Sequence, residues 1–443
     1  MTACSYIISR GYTFSIVPDS RGVACAFRLH MQAQLDTHLW KGRSWVLIYA
    51  FEPHPPNYAM LHSVMKILVL ASVLCSLGCL ALDNGLGRTP QMGWNSWNHF
   101  HCGINQTIVE QTADAFIKNG LDKLGYVYVN IDDCWAGSRD SNNVVIPDPK
   151  TFPDFQGMIN YVHSKGLKFG LYSDAGTKTC AGRPGSLNYE EVDANTYAKW
   201  SVDFLKYDNC NNNKIPSQKR YTAMSDALNK TGRPIFFSMC SWGSEDVATW
   251  AASVGNSWRT TGDIGYSWSN MINRADLNDK VAKYAGPGGW NDPDMLQAGN
   301  HGMTHTEHQT QFSLWSLMKS PLLIGSDVRN IDDESLHILT NPEVIAVNQD
   351  KMGVQGTKRK TDGTNEVWAG PLEGGAYAVV LLNRGTASSN VTASWSDFGL
   401  DSNREASVRD LWMMKDLGTM KGSVTAMVPS HGSVMYKITP TSI

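Results

Sequence analysis

The chain has 443 residues, of which 18% are charged, with 41 acidic against 38 basic side chains and a formal net charge of -3. That balance creates no field for a nucleic acid or an anionic membrane surface. The length suffices for one large domain and one small one around a substantial core. The 15 tryptophans suit either a core or the apolar faces of sugar rings, and composition alone does not choose between them.

Residues 1–64 carry neither clean periodicity nor a recognisable motif. Met65-Lys66 then opens an apolar run from Ile67 to Leu82, interrupted by Ser72, Ser76 and Gly78, with the small Ala81 just before Leu82-Asp83-Asn84. A basic residue, a short apolar stretch and a small residue form a secretory signal pattern, and the run is shorter than the roughly 20 residues a membrane-spanning helix needs. Residues 1–64 are therefore expected to be a non-native extension from an over-extended translation start, and 65–81 a signal peptide. The expected destination is the secretory pathway, extracellular or lysosomal/vacuolar, with no membrane attachment once the signal is cleaved. Five cysteines follow the signal, Cys102, Cys134, Cys180, Cys210 and Cys240, an odd number that allows two disulfides and one free thiol. Their spacing matches no zinc pattern. Three N-x-[ST] sequons, at Asn105, Asn229 and Asn390, are candidate glycosylation sites.

From about residue 90 to 350, eight short apolar or aromatic runs each end in a polar cluster and feed an amphipathic stretch. They are Met92–Trp97, Tyr126–Trp135, Leu167–Asp174, Phe204–Asn209, Pro234–Cys240, Trp258–Ile264, Gly289–Met295 and Leu322–Asp327. Eight strand–helix units over ~250 residues predict a (β/α)8 TIM barrel. The doubly wound open sheet is the alternative, but its Gly-rich phosphate turn is missing. After Asn348 the chain turns to alternating runs such as Ala376–Leu382 and Ser433–Ile438 between turn signals, which reads as a C-terminal antiparallel β-sandwich packed directly on the barrel. The expected domains are 82–350 and 351–443.

A barrel of this kind carries its active site at the C-terminal strand ends. Those ends supply Trp97, Asp132-Asp133, Tyr172 with Asp174, Lys206 with Asp208, Cys240-Ser241-Trp242, Arg259 with Asp263, and Asp292 with Asp294. A ring of carboxylates serves either a divalent metal or a pair of acids that split a glycosidic bond while the rest bind sugar hydroxyls. The aromatics and the two cations favour sugar, since a metal site gains nothing from Lys206 and Arg259 beside it.

The stretch from Leu82 through Trp97, with Ile131–Trp135, Leu205–Cys210, Trp258–Ile264 and Gly288–Leu296, resembles the plant and fungal members of glycoside hydrolase family 27 over about four-fifths of the chain. The resemblance implies a retaining α-galactosidase with no cofactor and no metal, acting on a carbohydrate. It implies Asp208 as nucleophile and Asp263 as general acid/base. Around the galactose it places Trp97, Asp132, Asp133, Tyr172, Lys206, Arg259, Asp294 and Met295, with Cys240 as a free thiol, and beside them Ser241 and Trp242 of the strand-five motif. The disulfides it implies are Cys102–Cys134 and Cys180–Cys210. On physical grounds Lys206 and Arg259 are expected to keep Asp208 ionised, and Asp263 to sit where charge is less welcome. Ser241 departs from the Glu or amide usual there, which raises α-N-acetylgalactosaminidase or dual activity as an alternative. A metal-dependent barrel enzyme and an inactive sugar-binding protein are the others. The natural galactoside and a homo-oligomeric state stay open.

Overall fold

The computed structural model describes residues 82–441 together with three strands near the N-terminus, Ser5–Ile8, Tyr12–Pro18 and Cys25–His30, which pair antiparallel in that order. The expected signal segment and most of the extension lie outside the described residues.

Eight parallel strands form one sheet: β1 Met92–Asn95, β2 Tyr128–Asn130, β3 Lys168–Asp174, β4 Phe204–Asp208, β5 Phe236–Met239, β6 Ser257–Arg259, β7 Trp290–Asp292 and β8 Leu322–Ile324. Their order runs β7-β6-β5-β4-β3-β2-β1-β8. The ring closes just beyond β7, where the Leu296 N–H donates to the Leu323 carbonyl at 2.8 Å and Gly325 returns a bond to Leu296 at 3.0 Å. This is the expected (β/α)8 barrel. Each anticipated run overlaps a strand, the sixth strand starting one residue earlier at Ser257, but most strands are shorter than the runs. Tyr126–Trp135 is extended only as far as Asn130, so Asp132 and Asp133 stand in the loop, free to turn inward.

Around the sheet lie α1 Gln106–Lys118, α2 Phe155–Ser164, α3 Glu190–Lys199, α4 Ser217–Lys230, α5 Trp268–Asp279, α6 His305–Leu317, α7 Asp333–Leu339 and α8 Pro342–Asn348. Local chemistry starts several of them. Asn105, Asp154 and Ser267 accept the first free amides of α1, α2 and α5. Thr304 and Glu307 form a reciprocal capping box on α6. One expected unit fails: β5 and β6 are joined by two 3-10 turns, Val247–Thr249 and Ala251–Ser253, instead of a helix. Trp242, Gly243, Glu245 and Asp246 all have positive φ, which a helix cannot contain.

Alternation along the strands sorts the side chains. Val129, Leu205, Phe237, Leu322 and Ile324 join the large cluster under the helices. Tyr128, Phe204, Phe236 and Leu323, with Met295, form a separate cluster inside the ring, where Phe204 and Phe236 stack at 5.1 Å. Lys206 and Asp208, two and four residues beyond Phe204, therefore share its inward face.

The C-terminal part is antiparallel throughout. Strands β9 Thr357–Asp362, β10 Asn365–Pro371, β11 Tyr377–Asn383, β13 Glu405–Asp410, β14 Lys415–Lys421 and β16 Ser433–Pro440 make one sheet, and β12 Ser389–Ser394 pairs with β15 Ser423–Val428 in a second. Val367, Val379, Leu381, Val391, Ala393, Val408 and Val424 fill the space between them. The sandwich packs directly on the barrel through α6, whose residues are buried almost throughout. Thr310 donates to the His431 carbonyl at 2.9 Å, and the Trp412 indole N–H donates to Ser313 Oγ at 2.9 Å. An ionic cluster joins α5 to the sandwich. Lys358 and Arg384 each bridge Asp276 and the buried Glu366 at 2.7–2.9 Å.

Candidate active site

The mouth of the barrel is built from loops that tie one another down. At the end of β1, Asn95 Oδ1 accepts the Trp97 N–H at 2.9 Å, while its amide donates to Asp132 Oδ2 at 2.8 Å. Lys206 Nζ reaches the same Asp132 oxygen at 2.8 Å. Burial works against the Lys206 ammonium, but Asp132 and the other nearby groups, Asp208 among them, together outweigh it and hold the proton firmly. Asp133 accepts the Cys134 and Ala181 N–H groups at 2.7 and 2.8 Å, so it clamps the β2 loop to the β3 loop, and burial raises its carboxyl.

Asp208 is almost wholly buried. Its Oδ2 accepts the Tyr172 hydroxyl at 2.9 Å and its Oδ1 accepts the Asn209 N–H at 2.9 Å. The ring of Tyr172 lies 5.3 Å from Lys206 Nζ. Burial pushes the Asp208 carboxyl above its ordinary value, with the Lys206 charge and the Tyr172 hydrogen bond pulling the other way.

Arg259 organises the opposite side. Its Nη2 lies 2.9 Å from Asp294 Oδ2 and 3.1 Å from Asp263 Oδ1, and its Nη1 lies 3.6 Å from the buried Cys240 sulfur. Asp294 has φ +89, a conformation held by the Met295 N–H on Oδ1, the Ile264 N–H on Oδ2 and the Trp315 indole on its carbonyl. Asp263 differs from all its neighbours: its side chain is 76% exposed. Partial desolvation by the surrounding mouth raises its carboxyl, but Arg259, then Lys206 and Arg274, together outweigh that and leave it below the ordinary value.

The expected electrostatic contrast is therefore reversed. Asp208 is the carboxyl whose charge is opposed, because its burial exceeds what Lys206 offsets. Asp263 stands open to water on a guanidinium. The structure also puts Ser241 fully out of solvent with its hydroxyl unpartnered, while the Ser244 hydroxyl turns back onto the Ser241 carbonyl at 2.5 Å. Trp242 is 36% exposed. All the anticipated strand-end residues thus come from the same end of the barrel. Of the acids named at strand ends but given no role, Asp292 accepts the Asp294 N–H at 2.8 Å and Asp174 lies in register with Asp208. Their alternation with Asp294 and Tyr172 is the signal that would have found them.

Cys102 bonds Cys134 and Cys180 bonds Cys210, while Cys240 is free and buried. The sulfurs of Cys180 and Cys210 lie with Asp174 within 4.8 Å of one another, but two sulfurs bonded together are not thiolate ligands. Asp132 and Asp294 are each paired with a cation, which argues against a shared metal at the mouth.

A family model described as alpha galactosidase A matches residues 89–350, and one described as the alpha galactosidase C-terminal beta sandwich domain matches 362–438. The chain belongs to the α-galactosidase family, glycoside hydrolase family 27. Among the relatives of this family member, the α-galactosidase of Coffea arabica is 58% identical over 362 residues, covering 81% of this chain and 96% of that protein. The rice enzyme is 55% identical over 363 residues, covering 81% and 87%. A solved structure of α-galactosidase from Saccharomyces cerevisiae with raffinose superposes with a TM-score of 0.78 at 32% identity, covering 81% of this chain and 99% of that one.

Proposed function

We propose that this family member is a retaining exo-α-galactosidase that cleaves terminal α-galactosyl residues from oligosaccharides, galactomannans or glycolipids, with Asp208 as nucleophile and Asp263 as general acid/base. One observation carries the assignment. Asp208 is the buried carboxylate held on both oxygens, at Oδ2 by Tyr172 and at Oδ1 by Asn209, whereas Asp263 is the exposed one, reachable by a leaving group and by water.

In the first step Asp208 attacks the anomeric carbon, the glycosidic C–O bond breaks and Asp263 gives its proton to the departing oxygen. In the second, Asp263, now a carboxylate, takes a proton from water as the water oxygen displaces Asp208. Two inversions give retention. Asp132, Asp133, Lys206, Arg259 and Asp294 are polarised or charged groups that bind the sugar hydroxyls, and Trp97 and Met295 supply apolar surface. Carboxyl groups about 5–5.5 Å apart accompany this mechanism. The relatives' names favour galactose over N-acetylgalactosamine as the sugar.

The two carboxyl environments predict a pH signature. The profile of kcat/KM reports the free enzyme, which must hold Asp208 ionised and Asp263 protonated. With Asp208 raised and Asp263 lowered, both limbs crowd into the acid range, and kcat/KM on an aryl α-galactoside peaks at acid pH. A bound sugar strips water from Asp263 and raises its pKa, so the alkaline limb of kcat lies at higher pH than that of kcat/KM. Coincident alkaline limbs in initial-rate profiles would show that the sugar does not desolvate Asp263.

The Ser241 hydroxyl is buried without a partner, and a turn of its side chain into the sugar pocket would let it donate to the 2-hydroxyl of galactose. Ser241→Ala is then expected to lower kcat/KM on aryl α-galactosides by about fivefold, the equivalent of about 1 kcal/mol for one hydrogen bond. Its rate on the 2-acetamido analogue should change less. Equal loss on both substrates would sink the idea that this hydroxyl reads the 2-position.

Entry into the secretory pathway fits the two disulfides and the exposure of Asn229 and Asn390. At Asn105 the side-chain oxygen caps α1 and leaves the amide nitrogen for a glycan. No helix among the described residues is long and apolar enough to cross a membrane.

A further inference from the structure

Asp174 ends β3 and is completely buried, yet neither sugar binding nor proton transfer uses it. It faces Asp208 across the β3–β4 ladder in direct register. Its Oδ1 accepts the Gly176 N–H at 2.7 Å and its Oδ2 accepts the Cys210 N–H at 3.1 Å. The backbone repeats the tie, because the Ala175 N–H donates to the Asp208 carbonyl at 2.9 Å and the Ser186 N–H to the Asp174 carbonyl at 2.9 Å. Asn209, whose N–H holds Asp208 Oδ1, is thus suspended between a strand end and Cys210. Cys210 is in turn held by Asp174 through a hydrogen bond and by Cys180 through a disulfide.

The charged groups that face Asp174 are Asp208 and, from α4, Arg220, with the hydroxyls of Tyr172, Tyr207 and Tyr221 feeling its charge. Burial and the nearby Asp208 push the Asp174 carboxyl up to about 8. An acidic side chain kept in so buried a place, tying two backbone amides beside Asp208, calls for a reason beyond packing.

We propose that Asp174 is a positioning residue for the nucleophile, fixing the Asp208–Cys210 turn so that the Asp208 carboxylate is aimed at the anomeric carbon. The proposal rests on the assignment of Asp208 made above. A turn displaced by about 1 Å costs on the order of 10²-fold in rate while leaving distant binding groups in place. The sugar-binding groups Trp97, Asp132, Arg259 and Asp294 sit on other loops, so the loss falls on kcat.

The test is steady-state kinetics on an aryl α-galactoside for Asp174→Asn and Asp174→Ala, with the inhibition constant of galactose and the melting temperature measured alongside. Asn keeps an acceptor for one amide and Ala for neither. The expected result is a kcat lowered about tenfold in Asp174→Asn and about a hundredfold in Asp174→Ala, with KM and the galactose constant within about twofold of the parent. Should Asp174→Ala fail to fold, Asp174→Asn decides. An unchanged kcat overturns the proposal, and so does a fall in kcat matched by an equal loss of galactose affinity, which marks a general scaffold role. Asp208→Ala in the same assay separates the two readings. Turnover retained there would topple the assignment of the nucleophile, whereas turnover lost there with Asp174→Asn at parental kcat would topple only the positioning role.

Discussion

Replacing Asp208 by alanine is expected to remove turnover by a factor on the order of 10⁴–10⁶, the scale seen when a nucleophile is deleted from an intact site. Galactose should still bind, because Asp132 is held by Asn95 and Lys206, and Asp294 by Arg259 and two backbone amides, none of which involves Asp208. Inhibition by galactose therefore separates a dead site from an unfolded one. External azide distinguishes the two acids further. In Asp208→Ala, azide that attacks directly while Asp263 assists the leaving group gives the inverted β-glycosyl azide. In Asp263→Ala, azide enters through the Asp208-linked intermediate and gives the α product. NMR of the two products checks the assignment, and the reverse pattern would exchange the roles of Asp208 and Asp263.

The second large effect belongs to Arg259→Leu, and it should appear in stability as well as rate. Arg259, Asp292 and Asp294 are all less than a tenth exposed. Removing the guanidinium strands two buried carboxylates, and breaking a buried ion pair from one side costs about 3–5 kcal/mol. The Asp292 carboxyl already stands at about 6, raised by burial despite Arg259. Without the cation it rises further. The sign follows from linkage: a carboxyl raised in the folded state favours unfolding increasingly as pH climbs from the unfolded value towards the folded one. The deficit in melting temperature relative to the parent should therefore widen as pH climbs above about 6, where Asp292 of the parent ionises and that of the variant still holds its proton, and narrow on acidification. Activity should fall at the same time, since Asp263 loses the only side chain seen to hold its carboxylate among the described residues. A deficit independent of pH would mean that the leucine relieves the two acids by repacking rather than leaving them charged.

The barrel was legible in the amino-acid order because each strand carries two signals at once. An apolar run sets the strand, and the polar cluster at its end marks the same rim every time. Alternation then assigns Lys206 and Asp208 to one face without any coordinates. The turn-rich alternating tail was readable for the same reason, its period of two being local. The resemblance of five motifs to one family supplied the roles, which spacing alone left divided between sugar and metal chemistry.

What the order of residues could not determine was how charge is distributed around the two carboxyls. Lys206 lies two residues from Asp208, yet its ammonium goes to Asp132, 74 residues away. Arg259 lies four residues from Asp263 and also serves Asp294 and Cys240. A pKa depends on burial and on through-space partners, both of which are sums over residues distant in the chain. Only the closed barrel decides them, and it made Asp208 the deeply buried acid and Asp263 the exposed one. The helix missing after β5 has the same kind of cause, since positive φ at Trp242, Glu245 and Asp246 is imposed where the loop meets the mouth. Local propensity and periodicity thus determined the elements and their rim, whereas long-range packing decided which acid is desolvated, which cation each acid meets and how the nucleophile's turn is held.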